Sequence, residues 1–159
     1  MDYALYIVIV VIFVTIDQLG KYTIVKNFVE ASKKIIIPDF FEITYVKNYG
    51  AGFSIMQNQT ILLIAISIFA IIVVSFFLIK AKKDDKLNKC AYLLIIGGTL
   101  GNLIDRIRYS YVVDFLDFYI FNYDFPVFNF ADCFLTIGCI LLIISILVES
   151  KRDQNKTNC

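Results

Sequence analysis

The sequence predicts an all-α membrane protein: a bundle of four transmembrane helices with a small cap of strand-forming loops on its outer face. Three observations predict it. Hydrophobic residues make up 59% of the 159, above the roughly 45–50% usual in soluble domains, and mean hydropathy is +0.75. The apolar residues gather into four runs of helix length. Lysines crowd the short stretch between the second and third runs, as in a cytoplasmic loop. The length suits one domain. The expected organisation is a single integral membrane domain, 1–159, with spans at about 3–20, 60–79, 90–107 and 132–149 and outer loops at 21–59 and 108–131.

Tyr3 to Ile16 is apolar apart from Thr15. It has no basic leader, and Asp17-Gln18 follows it where a cleavage site would need small residues, so it reads as a retained span. Asp17 should then lie near the interface, four residues before Lys21 on one helix face. The plainer alternative is a hydrated residue at a helix end. In the first outer loop, Phe41 to Val46 alternates as a half-buried strand does, and Pro38-Asp39 marks a turn before it. Asn48-Tyr49-Gly50-Ala51-Gly52-Phe53-Ser54 sets small residues beside an amide. That is either a place where another backbone approaches closely or simply a turn back to the membrane.

Ile61 to Ile79 has two serines and no charge; at 1.5 Å per residue it spans about 28 Å. Lys80, Lys82, Lys83, Lys86 and Lys89 follow. In the third span Gly97, Gly98 and Gly101 make a small-residue face for close helix contact, and Asn102, Asp105 and Arg106 mark its far end. Phe134 to Val148 is the fourth apolar run, trailed by Lys151, Arg152 and Lys156. The second loop and the tail are thus basic, while the third loop carries Asp114, Asp117 and Asp124. Both termini are expected inside.

Composition also narrows the chemistry. There is no histidine, which removes histidine zinc motifs and Ser-His or Cys-His nucleophile pairs. A net charge of +1 gives no nucleic-acid footprint. The four cysteines, Cys90, Cys133, Cys139 and Cys159, contain no Cys-x-x-Cys and form no disulfide scaffold. Cys133 and Cys139 are expected as interior packing residues. No cofactor and no metal site is expected. Hydrolysis would have to run on Asp, Glu, Lys, Ser or Tyr.

Asp17, Asn48, Asn102, Arg106, Asp114, Asn129 and Asp132 fall at one membrane depth. Carboxylates at the edge of hydrocarbon are costly to keep ionised. Two held close together share a proton. Such a pair can activate water with one member and polarise a carbonyl with the other. Each residue also has an ordinary alternative. Asp132 could be a helix N-cap, Asp105-Arg106 an interfacial ion pair, and Asp114 a solvated charge on a strand edge.

Five segments, in order, carry a resemblance to a known family. They are Asp17-Gln18 with Lys21; Asn48-Tyr49-Gly50-Ala51-Gly52-Phe53; Gly98 through Gly101-Asn102 to Asp105-Arg106; Val112-Val113-Asp114-Phe115; and Phe128-Asn129-Phe130-Ala131-Asp132. Together they resemble the successive motifs of lipoprotein signal peptidase, signal peptidase II. Gly20 stands where that family often has Ser or Thr, and Gly52 where a second Ala is common. The resemblance implies a four-helix membrane bundle with a small extracytoplasmic β-cradle and an amphipathic element. It implies an aspartic endopeptidase of the bacterial cell membrane, which removes signal peptides from prolipoproteins by cutting before a diacylglyceryl-modified cysteine at the outer leaflet. Asp114 and Asp132 would be the catalytic dyad, Asn48, Asn102, Arg106 and Asn129 the substrate-binding or dyad-supporting residues, and Asp17 and Lys21 structural polar residues. The implied partners are lipid-modified prolipoproteins and membrane lipid.

Two other classes fit less well. A small proton-coupled carrier or membrane assembly factor would place acids near mid-membrane, often with paired broken helices, whereas the second span is uncharged. A purely structural subunit would be indifferent to isosteric changes at Asp114 or Asp132. The expected topology has a direct check. A cysteine placed at Asp84, in a background lacking the native cysteines, should resist a membrane-impermeant thiol reagent in intact cells. Labelling from outside would overturn the arrangement.

Overall fold

The computed structural model describes residues 3–50, 56–121 and 123–157, with 150–157 as backbone only. Ala51-Gly52-Phe53-Ser54, the side chains of Lys151, Arg152 and Lys156, and Cys159 therefore lie outside the described residues. Four helices, α1 (Tyr3–Asn27), α2 (Thr60–Lys80), α3 (Lys86–Tyr109) and α4 (Phe130–Thr157), are each long and apolar enough to cross a membrane. Four strands, β1 (Lys33–Ile37), β2 (Phe41–Asn48), β3 (Val112–Ile120) and β4 (Tyr123–Asp124), form one antiparallel sheet in the order β1-β2-β3-β4. The fold is the expected four-helix membrane bundle with a small sheet. The implied amphipathic element has no counterpart among the described residues.

Helix α3 is the centre of the bundle and packs on α1, α2 and α4. Its best apolar window has a mean hydropathy of only 1.3, against 2.0 for α1, 3.2 for α2 and 2.6 for α4. The order is physical: α3 is mostly buried, while the other three turn most of their surface outward. A lipid-facing helix must be apolar all round, but a shielded one can carry polar groups that find partners on its neighbours. Small residues make the shielding tight. A Cβ on Gly97 would meet the Phe13 side chain of α1, one on Gly98 the backbone carbonyl of Ala131 in α4, and one on Gly101 both Asp17 and Ala131. Gly20, where the resemblance led to Ser or Thr, gives its space to the rings of Phe130 and Phe115.

Helix α1 outlasts its expected span, running on to Asn27. Gly20 does not break it, and Asp17 and Lys21 are paired on one face of the same helix, 2.8 Å apart. Ile24 in its last turns packs with Tyr45, Val113 and Phe115 and so docks the sheet on the bundle. At the end of α3, Ser110 adopts a left-handed conformation (φ 66°) and its N–H donates to the Arg106 carbonyl, a helix stop of the αL type. Strand β3 begins two residues later.

Strand β3 is interior to the sheet, paired with β2 through Val46↔Asp114 and Asn48↔Val112. Its alternation sends Val113 and Phe115 to the core beside α1 and Asp114 to the opposite face. The solvated-edge alternative for Asp114 therefore fails: it is 1% exposed. On the flank of the sheet, Lys33 bonds Asp117 Oδ2 at 3.0 Å and the Tyr119 hydroxyl at 2.8 Å, tying β1 to β3. Strand β1 was not among the expected elements. It is an edge strand exposed along its whole length, so its Lys-Lys-Ile-Ile-Ile run never needed the alternation that flags a half-buried strand.

The packing role expected of Cys139 is corrected. Cys139 lies on the outward surface of α4, and Cys133 is only half-buried. Residues at that depth can be apolar without being interior, because lipid covers them.

The helix contacts carry a stability test. In Gly98→Ala the new methyl would press on the Ala131 carbonyl and on Leu135. The expected cost is about 1–3 kcal/mol, as for overpacking elsewhere. It should appear as a lowered unfolding transition in detergent; wild-type stability would mean that α3 and α4 separate freely.

Candidate active site

The sheet and the bundle meet at a cavity of about 700 Å³, within the usual range of ligand sites. Asn48, Asn102, Arg106, Asp114 and Asp132 line it on the polar side, and Val112, Phe125, Phe128, Leu135 and Ile137 are among its apolar walls. A second opening of about 440 Å³ shares Asn48, Asp114, Pro126 and Val127 with the first and adds Lys47, Tyr49 and Gln57. Asp114 thus borders an apolar chamber on one side and a more polar one on the other.

The two aspartates reach this place on different elements. Asp114 sits on β3. Asp132 sits in the first turn of α4, where it forms half of a reciprocal cap. The Asn129 side chain accepts from the Asp132 N–H at 3.0 Å, and Asp132 Oδ2 accepts from the Asn129 N–H at 3.2 Å. This is the capping-box arrangement. The cap that the sequence suggested for Asp132 thus belongs to Asn129, three residues earlier, and Asp132 is its partner.

Every oxygen of the two carboxylates accepts one hydrogen bond from the protein. Asp114 Oδ1 accepts from Asn129 Nδ2 at 2.6 Å and Oδ2 from Asn48 Nδ2 at 2.9 Å. Asp132 Oδ1 accepts from Asn102 Nδ2 at 2.7 Å, and its Oδ2 takes the Asn129 N–H. A carboxylate oxygen has two lone pairs, so each keeps capacity for a water or a proton. Asn129 serves both aspartates, one through its side chain and one through its backbone.

The amide directions follow from groups that can only donate. Asn102 Oδ1 accepts from the Lys21 ammonium at 2.9 Å, which turns its NH2 to Asp132. Asn48 Oδ1 accepts from the Gly50 N–H at 2.9 Å, which turns its NH2 to Asp114. Burial first, and then the charge of Asp132, push the Asp114 carboxyl up to about 7, against the pull of its two asparagine bonds.

Behind the cavity lies a buried charged group that sequence reasoning named only in part. Lys21 pairs with Asp17 at 2.8 Å and with Asp105 at 3.0 Å. Asp17 also accepts from the Ala131 N–H at 2.9 Å, and Asp105 from the Val113 N–H at 3.1 Å. Gln18 donates to Asp105 Oδ1 at 2.9 Å and to the Gly101 carbonyl at 3.1 Å. The hydrated alternative for Asp17 fails, since it is fully buried. The ion-pair alternative for Asp105-Arg106 fails as well: Asp105 pairs with Lys21, and Arg106 Nη2 donates to the Gly50 carbonyl at 2.9 Å. Neighbours on a helix point apart, so Asp105 faces α1 while Arg106 faces the cavity. Gln18 and Asp105 stood in the sequence as members of two of the motif segments, without a role of their own.

With the geometry in view, the likeness to known proteins is informative. A family model described as signal peptidase (SPase) II matches residues 9–148. A lipoprotein signal peptidase of Clostridium tetani (strain Massachusetts / E88) is 40% identical over 151 residues, 94% of this chain and 97% of that protein. One of Pasteurella multocida (strain Pm70) is 40% identical over 146 residues, 89% of this chain and 88% of that one. Two solved structures, each described as a bacterial membrane enzyme determined by the in meso method, superpose with TM-scores of 0.90 and 0.84 at 38% and 39% identity. They cover 96% and 92% of this chain, and this chain covers 93% and 95% of theirs.

Proposed function

The chain belongs to the signal peptidase II family, and from that membership we propose that it is an aspartic endopeptidase in which Asp114 and Asp132 together activate one water. Its activity is signal peptide removal from lipoproteins, and it is a multi-pass membrane protein. The observation that carries the aspartic reading is the shared setting of the two carboxylates. Both line one cavity, and both accept from Asn129.

The reaction then needs no covalent intermediate. Water lies between the two carboxyls. The ionised member takes a proton from it as its oxygen attacks the scissile carbonyl, and the protonated member donates to the carbonyl oxygen. When the tetrahedral carbon collapses, the C–N bond breaks and the proton that the water gave up goes to the leaving amine. The diol's second O–H proton returns to the carboxyl that had donated, so the pair ends as it began. Asn48, Asn102 and Asn129 hold the carboxylates still, and Arg106, on the cavity wall, offers N–H donors to substrate carbonyls.

The cut falls just before the lipid-modified cysteine of a prolipoprotein. The apolar chamber takes the signal segment and diacylglyceryl chains, and the polar opening beside Lys47 takes the chain that follows. The site faces the outer leaflet, with both termini in the cytoplasm. The carrier reading fits less well, because Asp114 sits on the sheet and not on a helix able to cross a membrane.

Asp→Asn substitutions test the dyad, since they keep shape and remove the proton acceptor. Asp114→Asn and Asp132→Asn should each fold and each lose activity on a lipidated precursor peptide by roughly 10²–10⁴-fold or more. The double variant should be little worse than either single, as for members of one catalytic unit. Asp117→Asn lies on the same strand but the opposite face, and should keep most activity. Turnover by all of these variants would end the aspartic reading.

The pH dependence has a definite sign. Asp114 holds its proton up to about 7, so kcat should fall as pH rises through that value, when the pair loses its shared proton and with it the acid. The unfolded chain releases the same proton near 4. The folded form therefore binds more protons between the two values, and stability should decline with rising pH across that window and level off above it. A kcat profile flat from pH 6 to pH 9 would contradict this assignment.

A further inference from the structure

We propose that Lys21 is a positioning residue for peptide hydrolysis: one buried ammonium sets both the spacing of the two aspartates and the face that Asn102 turns to Asp132. The inference rests on the dyad reading above and adds a residue that touches neither substrate nor water.

An ammonium has three N–H donors and no acceptor. Those of Lys21 go to Asp17 at 2.8 Å, Asp105 at 3.0 Å and Asn102 Oδ1 at 2.9 Å, and the side chain is 3% exposed. The two carboxylates it joins are themselves backbone anchors. Asp17 holds the N–H of Ala131, the residue before Asp132, and Asp105 holds the N–H of Val113, the residue before Asp114. The ammonium is therefore the joint between the anchor of one aspartate and the anchor of the other. It connects α4 and β3 through side chains of α1 and α3.

The third donor acts on chemistry more directly. An amide can reverse its oxygen and nitrogen with little change of shape. Reversal of Asn102 would set an acceptor against Asp132, where an NH2 now donates at 2.7 Å. A donor-only group at Asn102 Oδ1 forbids that reversal. The Asn129 NH2 reaches the same oxygen at 3.2 Å but is shared with Asp114 at 2.6 Å, so Lys21 is the dedicated lock. Reactions of this kind lose rate steeply when the reacting groups are displaced by a fraction of a bond length.

A merely structural role predicts something different, and two variants separate them. Lys21→Met leaves Asp17 and Asp105 facing one another unpaired, which is strongly destabilising. The triple variant Lys21→Met/Asp17→Asn/Asp105→Asn removes all three charges together and leaves amide oxygens to accept from Ala131 and Val113. Each would be purified in detergent, its unfolding transition measured, and its kcat and KM determined on a diacylglyceryl-modified precursor peptide, with Asp114→Asn alongside. The expected result is a folded triple variant whose kcat is lower by roughly a hundredfold, with KM little changed because none of the three substituted residues lines the cavity. A triple variant with wild-type kcat overturns the proposal, as does a loss confined to KM. Failure of both variants to fold would make Lys21 a folding residue only and would overturn it too. An inactive Asp114→Asn beside a fully active triple variant leaves the dyad standing and removes Lys21; an active Asp114→Asn removes the dyad itself.

Discussion

A carboxylate taken out of water must find hydrogen-bond donors in the protein, and this structure meets that demand four times in one small region. Asp17, Asp105 and Asp114 are each at most 1% exposed, and Asp132 borders the cavity beside them. Their donors come from α1, α3, β2, β3 and the turn into α4. Apolar packing alone would let these elements slide, since lipid is as apolar as the helices it surrounds. Charge and amide contacts fix them. The glycines of α3 then have a clear part: they bring α1 and α4 close enough for those bonds to form.

Much of this was legible in the chain. The four helices showed as apolar runs, and β2 showed as alternation between Phe41 and Val46. The convergence of Asn48, Asn102, Arg106, Asp114, Asn129 and Asp132 was expected because they fall at the outer ends of the third and fourth spans and in the two outer loops. What escaped were relations that only packing creates. Strand β1 is exposed on both faces and has no pattern to read. The Asn129–Asp132 cap was read one partner short, because the reciprocal bond depends on where the first turn of α4 begins. Lys21 looked like a local partner of Asp17 at i,i+4. Its bonds to Asp105 and Asn102 lie more than 80 positions away along the chain, beyond any periodicity. Cys139 was misjudged because an apolar neighbourhood in a membrane protein does not tell the interior from the lipid face.

The hydropathies of the helices record the same division of labour. The one that supplies Asn102, Asp105 and Arg106 is the least apolar of the four and the most enclosed. A helix of that character inserts less readily by itself, and its companions supply the apolar surround that its polar residues require. The most enclosed helix is thus also the one with the most buried polar residues among those described.

The two aspartates are supplied by different halves of the molecule, one by the sheet and one by the bundle. Neither half contains a complete pair. Until Ile24 and its neighbours seat the sheet on the helices, the two carboxylates of a newly inserted chain lie apart and share no cavity. On the aspartic reading proposed above, activity waits on that docking. On the same reading, a small molecule wedged into the seam between sheet and helices would part the two carboxylates while leaving both chemically intact.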